Sequence, residues 1–483
     1  MSGLKVFLNG AAFWTFFIGL TGTVHAELIL YYSFEDSVSA GGTVVNLVNP
    51  GVYNGTLQDG AYTNGVLNLD GSGDFLQTAL PTNNLGAPVT FSFWMKASDT
   101  SSLGRAIISG YTDHINRWDI QLSRDGDQKV RFIHHEGYCG PVSNTSISTN
   151  TWYHVAVVHN SNTDKVDLYV NGILETSALI GSSLNLCTGI NMRVGQGDRN
   201  NFWGQIDDVA IWNNEALSSG QIRGIAQQAA VAIADGDWSA PETWFRSAQG
   251  TGTWQRLPDS GVDAVIAGGR TVTISSGTAA AKNLVMGAAG EMATVRLAGG
   301  TLNLAGNIQG TGVDITFNFH SGTLNLGGSS IGLDRFLVGT DPGANAQFTL
   351  GSGKSLTTGT LAVGGQGTGV FNFTGSGLSA NKVTLGPGGT INVSAGWTYT
   401  KVLEVQGGTL SLPAGALYLD AGAQATLTGG QISISYGYVG YQNSPLTTFS
   451  QTGGTFSVQS DLAVGRQSAA QGLYTLVDGL LEV

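Results

Sequence analysis

From about Thr271 onward one short phrase keeps returning. It reads Leu284-Val285-Met286-Gly287, Phe336-Leu337-Val338-Gly339, Leu361-Ala362-Val363-Gly364, Val383-Thr384-Leu385-Gly386, Gly437-Tyr438-Val439-Gly440 and Leu462-Ala463-Val464-Gly465. The closing glycines stand 52, 25, 22, 54 and 25 residues apart, so one unit of about 25 residues, sometimes doubled, fits them all. A second phrase interleaves with it: Gly300-Thr301-Leu302-Asn303-Leu304, Gly322-Thr323-Leu324-Asn325-Leu326, Gly389-Thr390-Ile391-Asn392-Val393, Gly408-Thr409-Leu410-Ser411-Leu412 and Gly454-Thr455-Phe456-Ser457-Val458. Apolar residues alternate there with Thr, Asn or Ser, which puts one face of a strand inward and the other outward. Short strands at a fixed period with glycine corners predict a parallel β-solenoid, in which no rung buries its apolar face without its neighbours. A glycine-rich disordered region would not need the alternation, and a four-stranded propeller blade would need a longer unit. The chain stops at Leu480-Leu481-Glu482-Val483, in mid-strand on this reading, so the array is expected to be truncated or capped by a partner.

Composition agrees with an all-β chain. Gly is 72 of 483 residues, about twice the usual share of roughly 7%. Charged residues are 11%, against a usual value of about 25%. The net charge of −12 argues against nucleic acid, because binding phosphates needs a basic surface. In the first half, Val166, Leu168 and Val170 alternate with polar residues, and Asn171-Gly172 then supplies the two positive-φ positions of a tight hairpin.

The N-terminus reads as a secretory signal peptide over residues 1–26, with Lys5 before a mostly apolar run from Val6 to Leu20 and Val24-His25-Ala26 as the cleavage site. The apolar run is short for a membrane span, and no comparable stretch follows it. A secreted or cell-surface protein is therefore expected. Export makes a disulfide between the two cysteines, Cys139 and Cys187, the expected state, worth about 4 kcal/mol in the chain-entropy model; two unpaired thiols are the alternative.

An ordered series of segments runs from about Leu28 to Gln228: Leu30-Tyr31-Tyr32-Ser33-Phe34; Leu67-Asn68-Leu69-Asp70-Gly71-Ser72-Gly73-Asp74-Phe75-Leu76; Val89-Thr90-Phe91-Ser92-Phe93-Trp94-Met95-Lys96; Trp152-Tyr153-His154-Val155-Ala156-Val157-Val158; Phe202-Trp203-Gly204-Gln205-Ile206-Asp207-Asp208-Val209-Ala210-Ile211-Trp212; and Asn214-Glu215-Ala216-Leu217-Ser218-Ser219-Gly220-Gln221-Ile222. The series resembles the laminin-G-like branch of the concanavalin A-like lectin/glucanase jelly rolls. The solenoid half resembles the autotransporter-associated strand repeats of large secreted bacterial proteins, with a Trp-rich entry unit containing Trp238, Trp244 and Trp254. The expected fold is thus all-β, an N-terminal concanavalin-like jelly-roll sandwich followed by a parallel β-solenoid repeat region. Its parts are a signal peptide at 1–26, a laminin-G-like jelly roll at 27–230, a linker and entry cap at 231–270, and repeats at 271–483.

No catalytic constellation stands out. Jelly-roll glucanases use a strand with three acids on one face, and here Glu27, Glu35, Glu136, Glu175 and Glu215 are scattered. Acids after Thr271 are isolated, and no Gly-x-Ser-x-Gly elbow joins a strand to a helix. Asp207 and Asp208 are adjacent, so a regular strand would point them to opposite faces and they could not act as a pair.

The resemblance implies one binding feature, and the residues themselves suggest a second. Laminin-G-like domains often hold calcium, which makes Asp70, Asp74, Asp207 and Asp208 the candidate metal ligands and Ca2+ the candidate cofactor; alternatively Asp70 caps a turn and Asp207 pairs a backbone group. A glycan surface is expected from Tyr111, His114, Arg117, Trp118, His134, Glu136 and Tyr138, with His135 beside them, since aromatics stack on sugars while His, Arg and Glu bind hydroxyls. Trp118 could instead be core, and Trp94, Trp152 and Trp212 are expected to be core. The function expected is a non-enzymatic adhesin or lectin that binds carbohydrate or an extracellular protein, with the solenoid as its stalk. A purely structural assembly protein, or the non-catalytic part of a larger polysaccharide-degrading enzyme, are the other two readings.

Overall fold

The computed structural model describes residues 27–101, 104–111, 117–134, 138–180, 190–197, 200–247, 254–394, 397–399, 401–419, 422–441, 445–467 and 469–483. The expected signal peptide lies outside these residues. So do Cys187 and the side chain of Cys139, and with them the expected disulfide.

The first half is a sandwich of two antiparallel sheets. In chain order its strands are β1 (Glu27–Tyr32), β2 (Thr43–Val44), β3 (Gly55–Gln58), β4 (Tyr62–Thr63), β5 (Leu67–Asp70), β6 (Phe75–Pro81), β7 (Val89–Ala97), β8 (Arg105–Tyr111) and β9 (Arg117–Leu122). They continue as β10 (Lys129–His134), β11 (Tyr138–Ser146), β12 (Trp152–Asn160), β13 (Lys165–Val170), β14 (Ile173–Leu179), β15 (Asn191–Val194), β16 (Asn200–Asn201) and β17 (Trp203–Asn213). The first sheet runs β14-β13-β12-β7-β17-β5-β4, with β1 also on β17. The second runs β11-β10-β9-β8-β15-β6-β3-β2, with β16 on β8. Alternation sets the core: Phe91, Phe93 and Met95 of β7, Val155 and Val157 of β12, and Ile206, Val209 and Ile211 of β17 face Trp118, Ile120, Val130 and Phe132 of the second sheet. The β13–β14 turn has positive φ at both Asn171 (50°) and Gly172 (78°), as the sequence predicts.

The second half is a parallel β-solenoid of about nine turns. Each turn stacks in register on the next: Thr301-Leu302-Asn303-Leu304 lies on Thr323-Leu324-Asn325-Leu326, and Leu361-Ala362-Val363 on Val383-Thr384-Leu385. The repeated phrases are therefore the same structural position on successive turns. Their apolar members form one continuous core from Ala230 to Val458. The glycines turn corners that allow no side chain: a Cβ on Gly389 would stand 2.2 Å from the carbonyl oxygen of Val363 on the turn below.

Residues 231–270 belong to the first solenoid turns. Ala230–Ala232 pairs with Ala264–Ile266, and Gly236–Asp237 with Thr271–Ile274. Trp244 stacks edge-on against Trp238 at 4.9 Å, and both are buried. A second core joins the two halves. Tyr31, Trp212, Ala156 and Val158 on the outer face of the first sheet meet helix α1 (Ser219–Ala226) and Phe245, Val265 and Ala267 of the solenoid. Ser218 and Gln221 close a capping box at the start of α1. Glu291, from the next solenoid turn, accepts from Ser218 Oγ (3.0 Å), Ser219 Oγ (2.7 Å), the Gly220 amide (2.8 Å) and the Gly268 amide (3.0 Å). That puts a carboxylate at the positive end of the helix, where it is stabilising. Arg270 and Glu215 add an ion pair at 2.5 Å across the same junction.

Candidate functional site

At one end of its strands the outer face of the first sheet packs an apolar cluster against the solenoid. Toward the other end of the strands it opens to solvent and changes character. The register places Tyr62 of β4 beside Asn68 of β5, Asn68 beside Gln205 of β17, Gln205 beside Lys96 of β7, and Lys96 beside Trp152 of β12. Five neighbouring strands thus present one row, with an aromatic ring at each end and hydrogen-bonding side chains between. At about 4.8 Å per strand the row is roughly 19 Å long. Gln205 Nε2 donates to Asn68 Oδ1 at 2.8 Å, which fixes both amides. Lys96 Nζ sits 5.3 Å from the Trp152 ring centre, a cation–π contact that holds the amine over the sheet.

Trp203, two residues before Gln205 on the same face, flanks the row. It is 44% exposed, and Tyr62 is 50% exposed. The Arg105 guanidinium lies 5.9 Å from the Trp203 ring. The ring rests against the β5–β6 turn, where Gly71 has φ +81° and a Cβ would stand 2.8 Å from the Trp203 Cβ. Tyr62, Asn68, Lys96, Trp203 and Gln205, together with Asp70, Asp74 and Asn150, line an open cavity of about 480 Å³. Two exposed rings over a floor of amides, an amine and a carboxylate can stack on an apolar ring face and hydrogen-bond hydroxyl groups around its edge.

The four aspartates expected to bind metal separate into two pairs. Asp74 Oδ1 accepts the Gly60 amide (2.7 Å) and its Oδ2 the Asp70 amide (3.1 Å), so both oxygens clasp the turn. Asp70 is exposed and accepts the Ser72 amide at 2.7 Å. Asp207 and Asp208 lie four to five residues along β17 from Trp203, at the junction with the solenoid. Here the expectation of opposite faces is corrected. The β17–β7 register shifts between Asp207 and Ala210, and Asp208 takes φ +51°. This bulge inserts one residue, so both carboxylates turn to the outer face and both are buried. Asp208 accepts from Tyr31 of the jelly roll and from Ser247 of the solenoid entry. Burial, and then the neighbouring Asp208 charge, hold the Asp207 carboxyl well above the usual range. Among the described residues its Oδ2 has no hydrogen-bond partner. Among the described residues no group of three or more His, Cys, Asp or Glu side chains is placed to hold a metal ion.

The expected glycan residues are likewise dispersed. Trp118 is fully buried in the sandwich, its ring 4.8 Å from Phe91. His134, cross-strand from Trp118, is also buried. Arg117 points to the opposite face of the second sheet, where it lies 3.9 Å from Asp119. Tyr111 ends β8 beside Arg117. His114, His135 and Glu136 and the side chain of Tyr138 lie outside the described residues. Sequence reasoning passed over Asp119 and Gln121 on that face, both fully buried, with Gln121 Nε2 donating to Asp119 Oδ2 at 3.1 Å. Burial pushes the Asp119 carboxyl up to about 7, against the pull of Arg117 and Gln121. The expectation that Trp94 and Trp152 are core is also corrected: both are partly exposed on the outer face of the first sheet. Trp212 is buried, but in the junction rather than in the sandwich.

A family model described as the concanavalin A-like lectin/glucanases superfamily matches residues 70–223. No curated protein matches the chain. Among solved structures, domain 4 of AbnA, a GH43 extracellular arabinanase from Geobacillus stearothermophilus, in complex with arabinotriose, is similar at 20% identity. That likeness covers 41% of this chain and 97% of the other, with a TM-score of 0.31. A heptameric SAP-like pentraxin from Limulus polyphemus is similar at 17% identity over 30% of this chain and 71% of its own, TM-score 0.25. A Trypanosoma rangeli sialidase in complex with the inhibitor DANA is similar at 14% identity over 41% and 32%, TM-score 0.32. Among the described residues no helix is long and apolar enough to cross a membrane.

Proposed function

We propose that this is an extracellular, non-catalytic carbohydrate-binding protein, whose jelly roll reads a glycan on the outer face of its first sheet and whose solenoid holds that face in place. The observation that carries the reading is the five-strand row from Tyr62 to Trp152 with Trp203 beside it. A pyranose seats its C–H face, which carries partial positive charge, on the electron-rich face of an aromatic ring. Asn68, Gln205 and Lys96 offer donors and acceptors for the hydroxyl groups around such a ring, and Asp70 adds an acceptor at the cavity rim. Two rings about 19 Å apart suit a chain of several sugar units rather than a monosaccharide. The description of the matched superfamily, which groups lectins with glucanases, supports the same class of ligand. The row holds one amine and no facing pair of carboxylates, which suits binding without glycoside hydrolysis.

The test is a glycan-array screen of residues 27–483, in calcium and again in EDTA, with Trp203→Ala and Tyr62→Ala alongside. The reading expects a defined glycan to be bound by the unaltered chain and at least tenfold more weakly by either variant. Binding equal in both buffers would remove calcium from the account. Binding unaffected by both substitutions would overturn the row as the site, and no binding at all by a folded chain would favour a protein partner or a structural role.

A further inference from the structure

The solenoid's phenylalanines pack inward, and so does Tyr474, stacked on Phe449 at 5.1 Å, whereas four other tyrosines do not. Every phenylalanine from Thr271 onward, Phe317 to Phe456, lies in the core. Tyr418, Tyr436, Tyr438 and Tyr441 do not. They gather on one outer face, where Ala416–Leu419 of one turn lies on Tyr436–Val439 of the next, and Asp461–Val464 on that. Tyr418 and Tyr438 are direct register partners, and their rings stack at 4.9 Å. Tyr441 packs edge-on against both, at 5.3 and 5.2 Å. The Arg466 guanidinium covers the other side of the column, 4.9 Å from the Tyr438 ring and 5.8 Å from that of Tyr441. Rings and cation therefore hold one another in position.

Tyr436 stands apart from this column. It precedes Tyr438 by two residues and so shares its face. It is 41% exposed, and its cross-strand neighbours are the small Ala416 on one side and Asp461 on the other. An exposed ring beside a shelf of alanine and an exposed carboxylate, flanked by a rigid tyrosine stack 39% exposed at Tyr418, is a second aromatic platform. Its polar groups are tyrosine hydroxyls, the Asp461 carboxylate and the Arg466 edge. Opposite charges on Asp461 and Arg466 and a chain net charge of −12 favour an uncharged ligand over an acidic one.

We infer that this face of the solenoid is a second binding site, for neutral polysaccharide, with one sugar ring stacked on Tyr436 and its neighbour against Tyr418. The site stands on its own residues and does not depend on the jelly-roll reading. The experiment is affinity electrophoresis of residues 27–483 through gels containing arabinan, xylan, galactomannan, mixed-linkage β-glucan or dextran. Four forms are compared: the unaltered chain, Tyr436→Ala with Tyr418→Ala, Trp203→Ala with Tyr62→Ala, and all four substitutions together. All four positions are solvent-exposed, and circular dichroism confirms that each form is folded.

The expected result is that at least one polysaccharide still retards the Trp203/Tyr62 variant, and that adding the tyrosine substitutions weakens that retardation tenfold or more. Retardation abolished by Trp203→Ala with Tyr62→Ala alone would leave the jelly-roll site standing and overturn the second one. Retardation insensitive to the Tyr436/Tyr418 pair, or a chain retarded by none of the gels, would overturn it as well.

Discussion

The jelly roll and the solenoid bury different things. The interior of the sandwich and its covered faces include Arg117, Asp119, Arg131, His154, His159, Asp207 and Asp208. From Thr271 onward the buried polar residues among those described are Thr358, Ser435, Thr447 and Gln451, all uncharged. A repeat gains its stability from identical neighbours, so each turn can be built from Val, Leu, Phe and Gly with the polar side chains left outside. A single-copy sandwich with irregular strands and a bulge can hold charges inside, at a cost that must be offset by packing elsewhere. The contrast locates the chemistry. In the solenoid, anything that binds must sit on the outer surface, as the tyrosine face does. In the jelly roll, the register of distant strands can assemble a site that no single segment contains.

The two halves depend on each other most at their junction. Phe245 is 1% exposed and touches both Tyr31 (5.2 Å) and Trp212 (5.0 Å). Phe245→Ala is expected to cost about 3–5 kcal/mol and to split thermal unfolding into two transitions, because the shared core would be lost. Calorimetry showing one unchanged transition would mean that the two halves do not depend on each other.

Acid should separate them next. His154 is fully buried, with Ser92 Oγ against its Nε2 at 2.9 Å and the Trp94 ring edge-on at 5.4 Å, and burial lowers its pKa to about 3. The unfolded chain takes up this proton near 6.5, whereas the folded chain resists until about 3. Stability is therefore lost as pH falls below 6.5, by about 1.4 kcal/mol per unit, or about 2 kcal/mol by pH 5. His154→Gln should flatten that slope in urea unfolding measured at a series of pH values. The solenoid's sole histidine, His320, is only half-buried. An acid slope unchanged in the variant would rule out His154 as its cause.

Glu291→Ala tests the clasp on helix α1. It strips acceptors from two hydroxyls and two amides near the helix start, and a loss of about 1–2 kcal/mol is expected, with the two halves still joined by their apolar contacts. A smaller change of opposite sign is expected from Asp207→Asn. A carboxyl whose folded pKa is raised contributes stability below the unfolded value and loses it as pH rises. Removing the charge should therefore stabilise by about 1 kcal/mol at pH 8 and by little at pH 4. A variant less stable at pH 8 would show that the carboxylate pair is supported by something the hydrogen bonds do not reveal.

The same contrast explains what could be read from sequence. The solenoid was legible because its signal is local and repeated: Leu302 and Leu324 occupy the same place in the same phrase, and the fold stacks them. The sandwich was legible as a fold from the ordered series of segments that resembles the laminin-G-like jelly rolls, with the alternation of Val166, Leu168 and Val170 and the Asn171-Gly172 turn as local support. Its site was not. Tyr62 and Trp152 are 90 residues apart, and only the pairings of five strands put them in one row. Asp208 defeated the alternation rule because a bulge adds a residue that periodicity cannot anticipate. Trp118 and Arg117 are neighbours in sequence, and for that reason they face opposite sides of their sheet.

Binding at the row is followed most directly through the tryptophan indole N–H resonances, recorded by NMR as the glycan selected on the array is titrated into residues 27–483. If the glycan binds the row, the signals of Trp203 and Trp152 move with a single saturating isotherm, while those of the buried Trp118 and Trp212 stay in place. Saturable binding that leaves Trp203 and Trp152 unmoved would contradict binding at the row.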